Sequence, residues 1–552
     1  MYKSLAAGNC SLHFMKNTED IKSVVDVAPA GAARFIIVLT TVTASIMELL
    51  DTTIVNVALN QISGSLGATI EDIAWVITSY AIANVIVIPM TGFLGEYFGR
   101  KNYYLASMIL FGIASYLCGN SGTLWELVLW RFVQGIGGGA LLSTSQAILF
   151  DAFPGKERGM ASGLFGMGIV LGPTLGPTVG GFIVDNYSWG DIFFINVPIC
   201  VIATVLTILY VPKKAGEGTN KANIKIDYLG IFLLIVGIGS LQYVLEKGES
   251  KDWFQSQEIS IIALMAAIGI VGFISRELTT DHPVVNLRVF SNRNFAFSSI
   301  FVLISGFGLF TSVFVYPVMV QRINGFTPYE TGLSLLFPTM TILPLFPILG
   351  RRMSAGASPI PFVFAGILIF AFFGFYSGTA TADMGRWDFY PMQLMRGLGT
   401  VLLQLPLINA SVAGLKQSEF GAGISLTNMI RQLGGAFGIA LANNYVTIQY
   451  AQHRSDLVAN YTPTNPLFAE RFNAIKMGFL ARSGDALQAS TQAYRQLELL
   501  LDRQAYFLSY LDTFRIISIF FLCVLPLVFL LKTKKKSPEE IAAAAKAAAE
   551  SH

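Results

Sequence analysis

Residues Gly166 to Gly181 read GMGIVLGPTLGPTVGG, inside an apolar stretch, 158–184, that is long enough to cross a bilayer. Six glycines and two prolines would cripple a helix in water, where each glycine costs about 1 kcal/mol and each proline about 3 kcal/mol relative to alanine. Within a membrane, neighbouring helices re-satisfy the freed backbone groups, so the run is tolerated there. The missing side chains admit another helix at close range, and Pro173 and Pro177 predict bends near Gly172 and Gly176. A bent, tightly packed spanning helix suits a protein that closes one side of a pathway while opening the other. A helix packed for stability alone would have the same composition.

The rest of the chain agrees with a membrane setting. Hydrophobic residues make up 53% of the 552 and charged residues 13%, half the roughly 25% charged residues of soluble domains. A net charge of +3 gives no reason to expect a nucleic-acid partner. Cys10, Cys118, Cys200 and Cys523 are far apart, and His13, His282, His453 and His552 fall outside the apolar segments, so neither a disulfide framework nor a metal site is indicated. The first 34 residues lack the basic, apolar and cleavage regions of a signal peptide, so the first span itself is expected to direct insertion.

With about 20 apolar residues needed per crossing, the chain divides into fourteen predicted spans. They lie near 35–58, 73–94, 102–119, 124–150, 158–184, 190–211, 227–246, 257–275, 295–320, 331–349, 359–378, 388–412, 420–447 and 511–531. Alternate loops carry Arg100 and Lys101; Lys156 and Arg158; Lys213, Lys214, Lys221 and Lys225; and Arg351 and Arg352. The first three intervening loops contain neither Lys nor Arg, and the tail holds Lys532, Lys534, Lys535 and Lys536. The positive-inside rule then places both termini in the cytoplasm.

A repeat is visible at an offset of 262 residues, where Gln134-Gly135-Ile136-Gly137 corresponds to Arg396-Gly397-Leu398-Gly399. Glu157-Arg158-Gly159 and Glu419-Phe420-Gly421 keep the same spacing. The predicted architecture is an all-α integral membrane protein of two six-helix halves with two extra central helices. Its parts are a cytoplasmic tail 1–34, a first half 35–215, the extra pair 216–285, a second half 286–532 that includes an extracytoplasmic loop 449–510, and a cytoplasmic tail 533–552. Within that loop, Leu487, Tyr494, Leu497, Leu501 and Leu508 recur near heptad spacing, which predicts an amphipathic or coiled-coil helix.

Candidate functional residues are the ionisable groups at membrane depth, each costly unless it faces a cavity or a partner. Glu48 and Asp51 are three residues apart and share a helix face. Arg131 is isolated in the fourth span and is a candidate partner for Asp51, either as a proton-exchanging site or as a fixed ion pair joining two helices. Gln134 lies one turn beyond it. Arg396 and Arg431 are the cations of the second half, available to Glu48, Asp51 or an anionic substrate, or to packing and helix anchoring. Asn56, Ser143, Gln404 and Asn409 are further candidates to line a pathway. In the loop 92–101, glycines permit a tight turn, and Arg100 and Lys101 can meet carboxylates or helix C-terminal carbonyls.

These residues carry a resemblance from about residue 34 to 531. Leu50–Leu59 (LDTTIVNVAL) looks like the first-helix signature of the fourteen-helix drug:proton antiporters of the major facilitator superfamily, EmrB type. Gly92–Lys101 (GFLGEYFGRK) is similar to the superfamily's loop between helices two and three. Arg131–Gly135 (RFVQG) resembles its fourth-helix motif linked to proton coupling, and Gly172, Pro173, Gly176, Pro177, Gly180 and Gly181 its antiporter motif. Trp189–Pro198 and Ile238–Ile259 resemble the EmrB branch. Three residues depart from the pattern: Glu96 where Asp is usual, Tyr97 where a basic residue is common, and Asp191 where the pattern is uncharged.

The resemblance implies a multidrug exporter of the bacterial inner membrane that works by alternating access on the proton motive force, with no cofactor. Asp51, Glu48, Arg131 and Gln134 would serve proton coupling and substrate. Gly92, Glu96, Gly99, Arg100 and Lys101 would form a cytoplasmic latch. The implied partners are lipophilic small molecules, protons, the lipid bilayer, a periplasmic membrane-fusion adaptor and an outer-membrane channel. An exporter of one endogenous metabolite or fatty acid, and a non-transporting receptor, are the alternatives. An enzyme is not expected: the glycines at 135–139 lie within a span without the strand that a nucleotide fingerprint requires, and no Walker loop is evident.

Overall fold

The computed structural model describes residues 31–530 except 154–156, 214–225, 414, 417–418 and 463, and the regular structure there is helical. Lys156, Lys214, Lys221, Lys225, both tails, Cys10, His13 and His552 lie outside the described residues. The principal helices are α1 (Ala32–Leu66), α2 (Trp75–Phe98), α3 (Arg100–Gly119), α4 (Leu124–Ala152), α5 (Arg158–Asn186), α6 (Asn196–Tyr210), α7 (Tyr228–Lys247) and α8 (Gln257–Thr279). They continue as α9 (Arg293–Met319), α10 (Pro328–Leu335), α11 (Thr339–Ser354), α12 (Ile360–Ser377), α13 (Tyr390–Val412), α14 (Phe420–Val458), α15 (Pro466–Ser483) and α16 (Ala486–Val524).

Among the described residues, ten segments are long and apolar enough to cross a membrane. The other four of the fourteen predicted spans are helices as well, α3, α4, α13 and α14. Their hydropathy is low because they carry the polar interior: Ser115, Arg131, Gln134, Gln146, Gln393, Arg396, Asn428 and Arg431 are all buried. The outside is the inverse, with Leu209, Leu264, Ile268 and Val271 exposed on α6 and α8. Apolar outside and polar inside is the arrangement a bilayer imposes.

Glycine sets which helices touch. A Cβ on Gly172 would stand 2.5 Å from Leu49 Cβ, and one on Gly176 would strike the Thr53 hydroxyl, so α5 lies directly along α1. At an offset of 262, Gly434 and Gly438 meet Leu303 and Thr311 in the same way, laying α14 along α9. The other glycine pair repeats too. Gly135 packs on the backbone of Tyr80 in α2 and Gly137 on α3; Gly397 packs on Pro338 beside α11 and Gly399 on Phe370 of α12.

α5 is one continuous helix with Pro173 and Pro177 inside it. Pro177 frees the carbonyl of Pro173, and the Thr53 hydroxyl of α1 lies 3.3 Å from that oxygen, so the neighbouring helix supplies the lost hydrogen bond. In the 449–510 region the expected amphipathic helix is present within α16, but its buried face is not the heptad line. Leu497 and Leu501 belong to that face, whereas Leu487 and Tyr494 are exposed, and the buried line is Ala489, Ala493, Leu497, Leu501 and Ala505, spaced by four. Small alanines let α16 approach its neighbours closely, which the leucine pattern does not reveal. There α14 and α16 extend beside each other, joined by stacking of Tyr450 on Tyr506 at 3.9 Å and by Arg454 with Asp502 at 2.9 Å.

α7 and α8 pack backbone to backbone at Gly237 and Gly269, and Arg276 holds Asp227, the N-cap of α7, at 2.7 Å. α7 also contacts α2 and α14.

Gly176→Leu and Gly438→Leu should each destabilise the protein by about 1–3 kcal/mol or more through overpacking. A thermal unfolding series in detergent reads this as two lowered melting temperatures. Gly478→Leu, at a glycine with no atom within 4 Å of a Cβ, should leave the midpoint where it is.

Candidate functional site

Asp51 on α1 and Arg131 on α4 are 0% and 1% exposed, and Arg131 Nη1 donates to Asp51 Oδ2 at 2.5 Å. The pair is held on every side. Gln134 Nε2 and Asn196 Nδ2 donate to Asp51 Oδ1 at 3.0 and 2.8 Å. Arg131 Nη1 also reaches Gln134 Oε1 at 2.6 Å, and its Nε donates to the Val76 carbonyl at 3.2 Å. Gln134 Nε2 is in turn 2.7 Å from Ser115 Oγ. The guanidinium sits over the Tyr80 ring, 4.1 Å from its centroid. Five helices, α1, α2, α3, α4 and α6, therefore contribute to one hydrogen-bonded cluster around the ion pair.

A buried charge pair of this kind is stable only while both partners stay and their remaining lone pairs and protons are met. Protonating Asp51 would cancel its charge and leave Arg131 uncompensated in a low-dielectric interior. The cluster is thus a point where one proton changes the energy of an entire helix junction.

Glu48 stands one turn away, also fully buried, but takes a different partner. Asn84 Nδ2 donates to Glu48 Oε1 at 2.9 Å, and Glu48 Oε2 has no hydrogen-bond partner among the described residues. Asn84 Oδ1 accepts from Gln432 Nε2 of α14 at 2.9 Å. Beside it Arg431 Nη2 donates to Asn428 Oδ1 at 2.8 Å, and Asn428 Nδ2 reaches Ser143 and Gln146 of α4, both at 3.1 Å. Whereas Asp51 ties together the early helices, Glu48 and Asn84 belong to a chain that crosses to α14. Asn409, proposed to line a pathway, accepts from Ser162 at 2.9 Å in a second crossing between α13 and α5.

Arg396 does not join either group. It is buried on α13, its Nη1 has no partner among the described residues, and Gln393 one turn before it is likewise unpaired. Asn84, Asn196 and Gln432 are the residues the sequence reading missed. The signal for Asn84 was a lone amide in the run IANVIVIPM, while nothing in the order of residues sets Asn196 facing Asp51.

The segment 92–101 joins α2 to α3 through a turn at Gly99. Gly99 has φ of 83°, a conformation that favours glycine. Arg100 pairs with Asp151 at 2.6 Å, and Lys101 Nζ donates to the Ile208 carbonyl in the last turn of α6 at 2.8 Å. At this basic end α2 touches α14 and α5 touches α11: a Cβ on Gly92 would stand 3.0 Å from the Ala422 backbone of α14, and one on Gly159 would stand 2.5 Å from the Ser354 backbone of α11. Gly181 and Gly332 close the contact of α5 with α10 toward the other end.

Away from the basic end lies a cavity of about 300 Å³. Arg131 and Tyr80 form part of its wall, with Thr52 and Asn56 of α1, Pro177 of α5, Phe310 and Phe314 of α9, and Gln432 of α14. α7 completes it with Gln242, Leu245 and Glu246, followed by Glu249 in the next turn. The charge cluster is therefore one side chain deep from a space able to take a small molecule.

The Major Facilitator Superfamily profile matches residues 41–439. The chain is 34% identical to the multidrug export protein EmrB of Escherichia coli K12 over 438 residues, 79% of this chain and 85% of that protein. It is 32% identical to the fatty acid resistance protein FarB of Neisseria gonorrhoeae over 91% of this chain and 97% of that protein. Among solved structures, the human organic anion transporter MFSD10 (TETRAN) superposes with a TM-score of 0.54 at 14% identity, over 91% of this chain and all of that one, a likeness of fold. With a match of that extent, and with a multi-pass helical bundle around a polar interior, the chain belongs to the major facilitator superfamily, a family of transporters and not of enzymes.

Proposed function

We propose that this protein is a proton-driven exporter of lipophilic compounds, working by alternating access across a bacterial inner membrane. The observation that carries the reading is the buried Asp51–Arg131 pair, ringed by Gln134 and Asn196, with Arg131 in the cavity wall. A proton reaching Asp51 from the cavity releases its hold on Arg131 and favours departure of the substrate. Closure of the cavity and opening of the basic end then return the proton to the cytoplasm. The Glu48–Asn84–Gln432 chain is the contact through which α1 and α2 sense α14.

Fourteen spans with both termini cytoplasmic fit this reading. The repeated glycine contacts support two six-helix halves, with α7 and α8 as the extra pair. The basic end, with Arg100, Lys101, Arg158, Arg351 and Arg352, then faces the cytoplasm. Gly92, Glu96, Gly99, Arg100 and Lys101 act there as a latch whose ion pair and backbone contact break when the halves rock. A potential of about 150 mV supplies roughly 3.5 kcal/mol per proton, enough for a concentration ratio of a few hundred. No ATP is needed.

The helices that project beyond the bundle, formed by the ends of α14 and α16 with α15, are proposed to meet a periplasmic adaptor that continues to an outer-membrane channel. The similarity to EmrB supports this, as does the length of the extension.

Asp51→Asn in proteoliposomes should abolish substrate-evoked proton movement while the protein stays folded; full coupled turnover in that variant removes Asp51 from the mechanism. Deleting 466–495 spares the pairing of Arg454 with Asp502. It should preserve transport in vesicles yet abolish resistance in cells, and undiminished cellular resistance would exclude the adaptor contact.

A further inference from the structure

The charges of the cavity wall do not balance. Its cation, Arg131, is matched by Asp51 at 2.5 Å. Its carboxylates, Glu246 and Glu249, come from the inserted helix α7 and the turn after it, and neither has an ion pair among the described residues. Glu249 Oε1 accepts from Thr447 of α14 at 2.8 Å, which anchors it to the far wall. Lys247, the nearest cation in sequence, is buried 5.3 Å from the Trp75 ring centroid and acts on Glu246 through the field of its charge, without an ion pair to it.

Gln242 lies one turn before Glu246 and lines the same space at 3% exposure. Its Nε2 donates to Glu246 Oε1 at 3.0 Å. A carboxylate accepts and does not donate, so this contact fixes which way the amide faces. The Gln242 Oε1 is thereby left as a buried acceptor with no partner among the described residues, and an unmet buried acceptor costs about 1–3 kcal/mol. The complement of an unpaired carboxylate and an adjacent orphan acceptor is a cation that carries N–H groups. Leu245, Phe310 and Phe314 supply apolar surface for the rest of such a molecule.

We propose that Glu246 and Gln242 of the inserted helix form a recognition point for the protonated amine of lipophilic substrates, the ammonium charge on Glu246 and one N–H on Gln242 Oε1. This rests on the exporter reading above and specifies its substrate class. In this arrangement the inserted pair is the selective wall of the chamber: it adds negative charge where the two repeated units supply a compensated pair and apolar surface.

Equilibrium binding to the full-length protein in lipid nanodiscs, with binding to empty nanodiscs subtracted, tests it. Decylamine, decyltrimethylammonium and decanoate share a chain and differ only in the head group. The wild-type protein should bind decylamine most tightly and decanoate most weakly. Glu246→Gln should raise the Kd of both cations by about tenfold and leave decanoate unchanged or tighter. Gln242→Leu should weaken decylamine alone, because decyltrimethylammonium has no N–H to offer. A merely structural role for Gln242 would move both cations together. Equal affinity of wild type and Glu246→Gln for decylamine, or tighter binding of decanoate than decylamine by the wild type, overturns the proposal. Binding that follows the expected order without any proton-coupled flux in proteoliposomes would instead count against the exporter reading and leave the recognition point standing. Coupled flux with the head-group order unaffected by Glu246→Gln would do the reverse.

Discussion

Everything in this bundle is arranged around the cost of keeping Asp51 and Arg131 out of water. Both are buried in a protein whose outer surface is apolar, where removing either charge would strand the other. The pair is tolerable because five helices bring donors and acceptors to it, and each of those helices meets a neighbour at a glycine, α6 through Cys200 against Gly112 of α3. Gly135 and Gly139 set α4 on α2 at Tyr80 and Asn84; Gly137 sets it on α3; Gly172 and Gly176 set α5 on α1. Close packing and charge burial are thus one design: without the glycines the helix axes would stand too far apart for side chains of this length to meet.

The same design is repeated with different chemistry. At an offset of 262 residues, Gly397, Gly399, Gly434 and Gly438 reproduce the helix contacts of Gly135, Gly137, Gly172 and Gly176. The polar residues do not follow. Arg131 and Gln134 become Gln393 and Arg396, and the helix that faces them, α9, offers Gly308 and Leu309 in the region where α1 offers Asp51. A proton therefore has a paired carboxylate to act on in one unit and none at the matching place in the other. Two similar scaffolds therefore carry different polar groups at matching places, an ion pair in one and, among the described residues, an uncompensated arginine in the other.

α7 is more than a spacer. α8 lies at the periphery with much of its surface apolar and exposed, while α7 reaches between α2 and α14 and brings Gln242, Glu246 and Glu249 to the cavity. The Trp253 indole, just beyond, donates to Asn444 of α14 at 3.0 Å, fixing the wall to the helix that carries Gln432. The carboxylates that line the cavity, Glu246 and Glu249, enter it by this route.

Much of this was legible in the residues themselves. Composition and the length of the apolar runs settled that the chain is a helical membrane protein, since a bilayer admits few other solutions. The glycine spacing revealed the repeat, and rarity singled out Asp51, Glu48 and Arg131, because an ionisable group at membrane depth is costly wherever it sits. Gly99, Arg100 and Lys101 were readable as a turn with charged anchors for the same local reasons. Helical periodicity says which residues share a face, but it does not say how far each helix is rotated or shifted against its neighbours. That is set by contacts hundreds of residues apart. The sequence could offer Arg131 as a partner for Asp51, but only the tertiary structure could choose it over Arg396 and Arg431, give Asn84 to Glu48, bring Asn196 to the cluster, leave Arg396 without a carboxylate among the described residues, keep α5 continuous through its prolines with Thr53 at the freed carbonyl, and turn α7 toward the cavity.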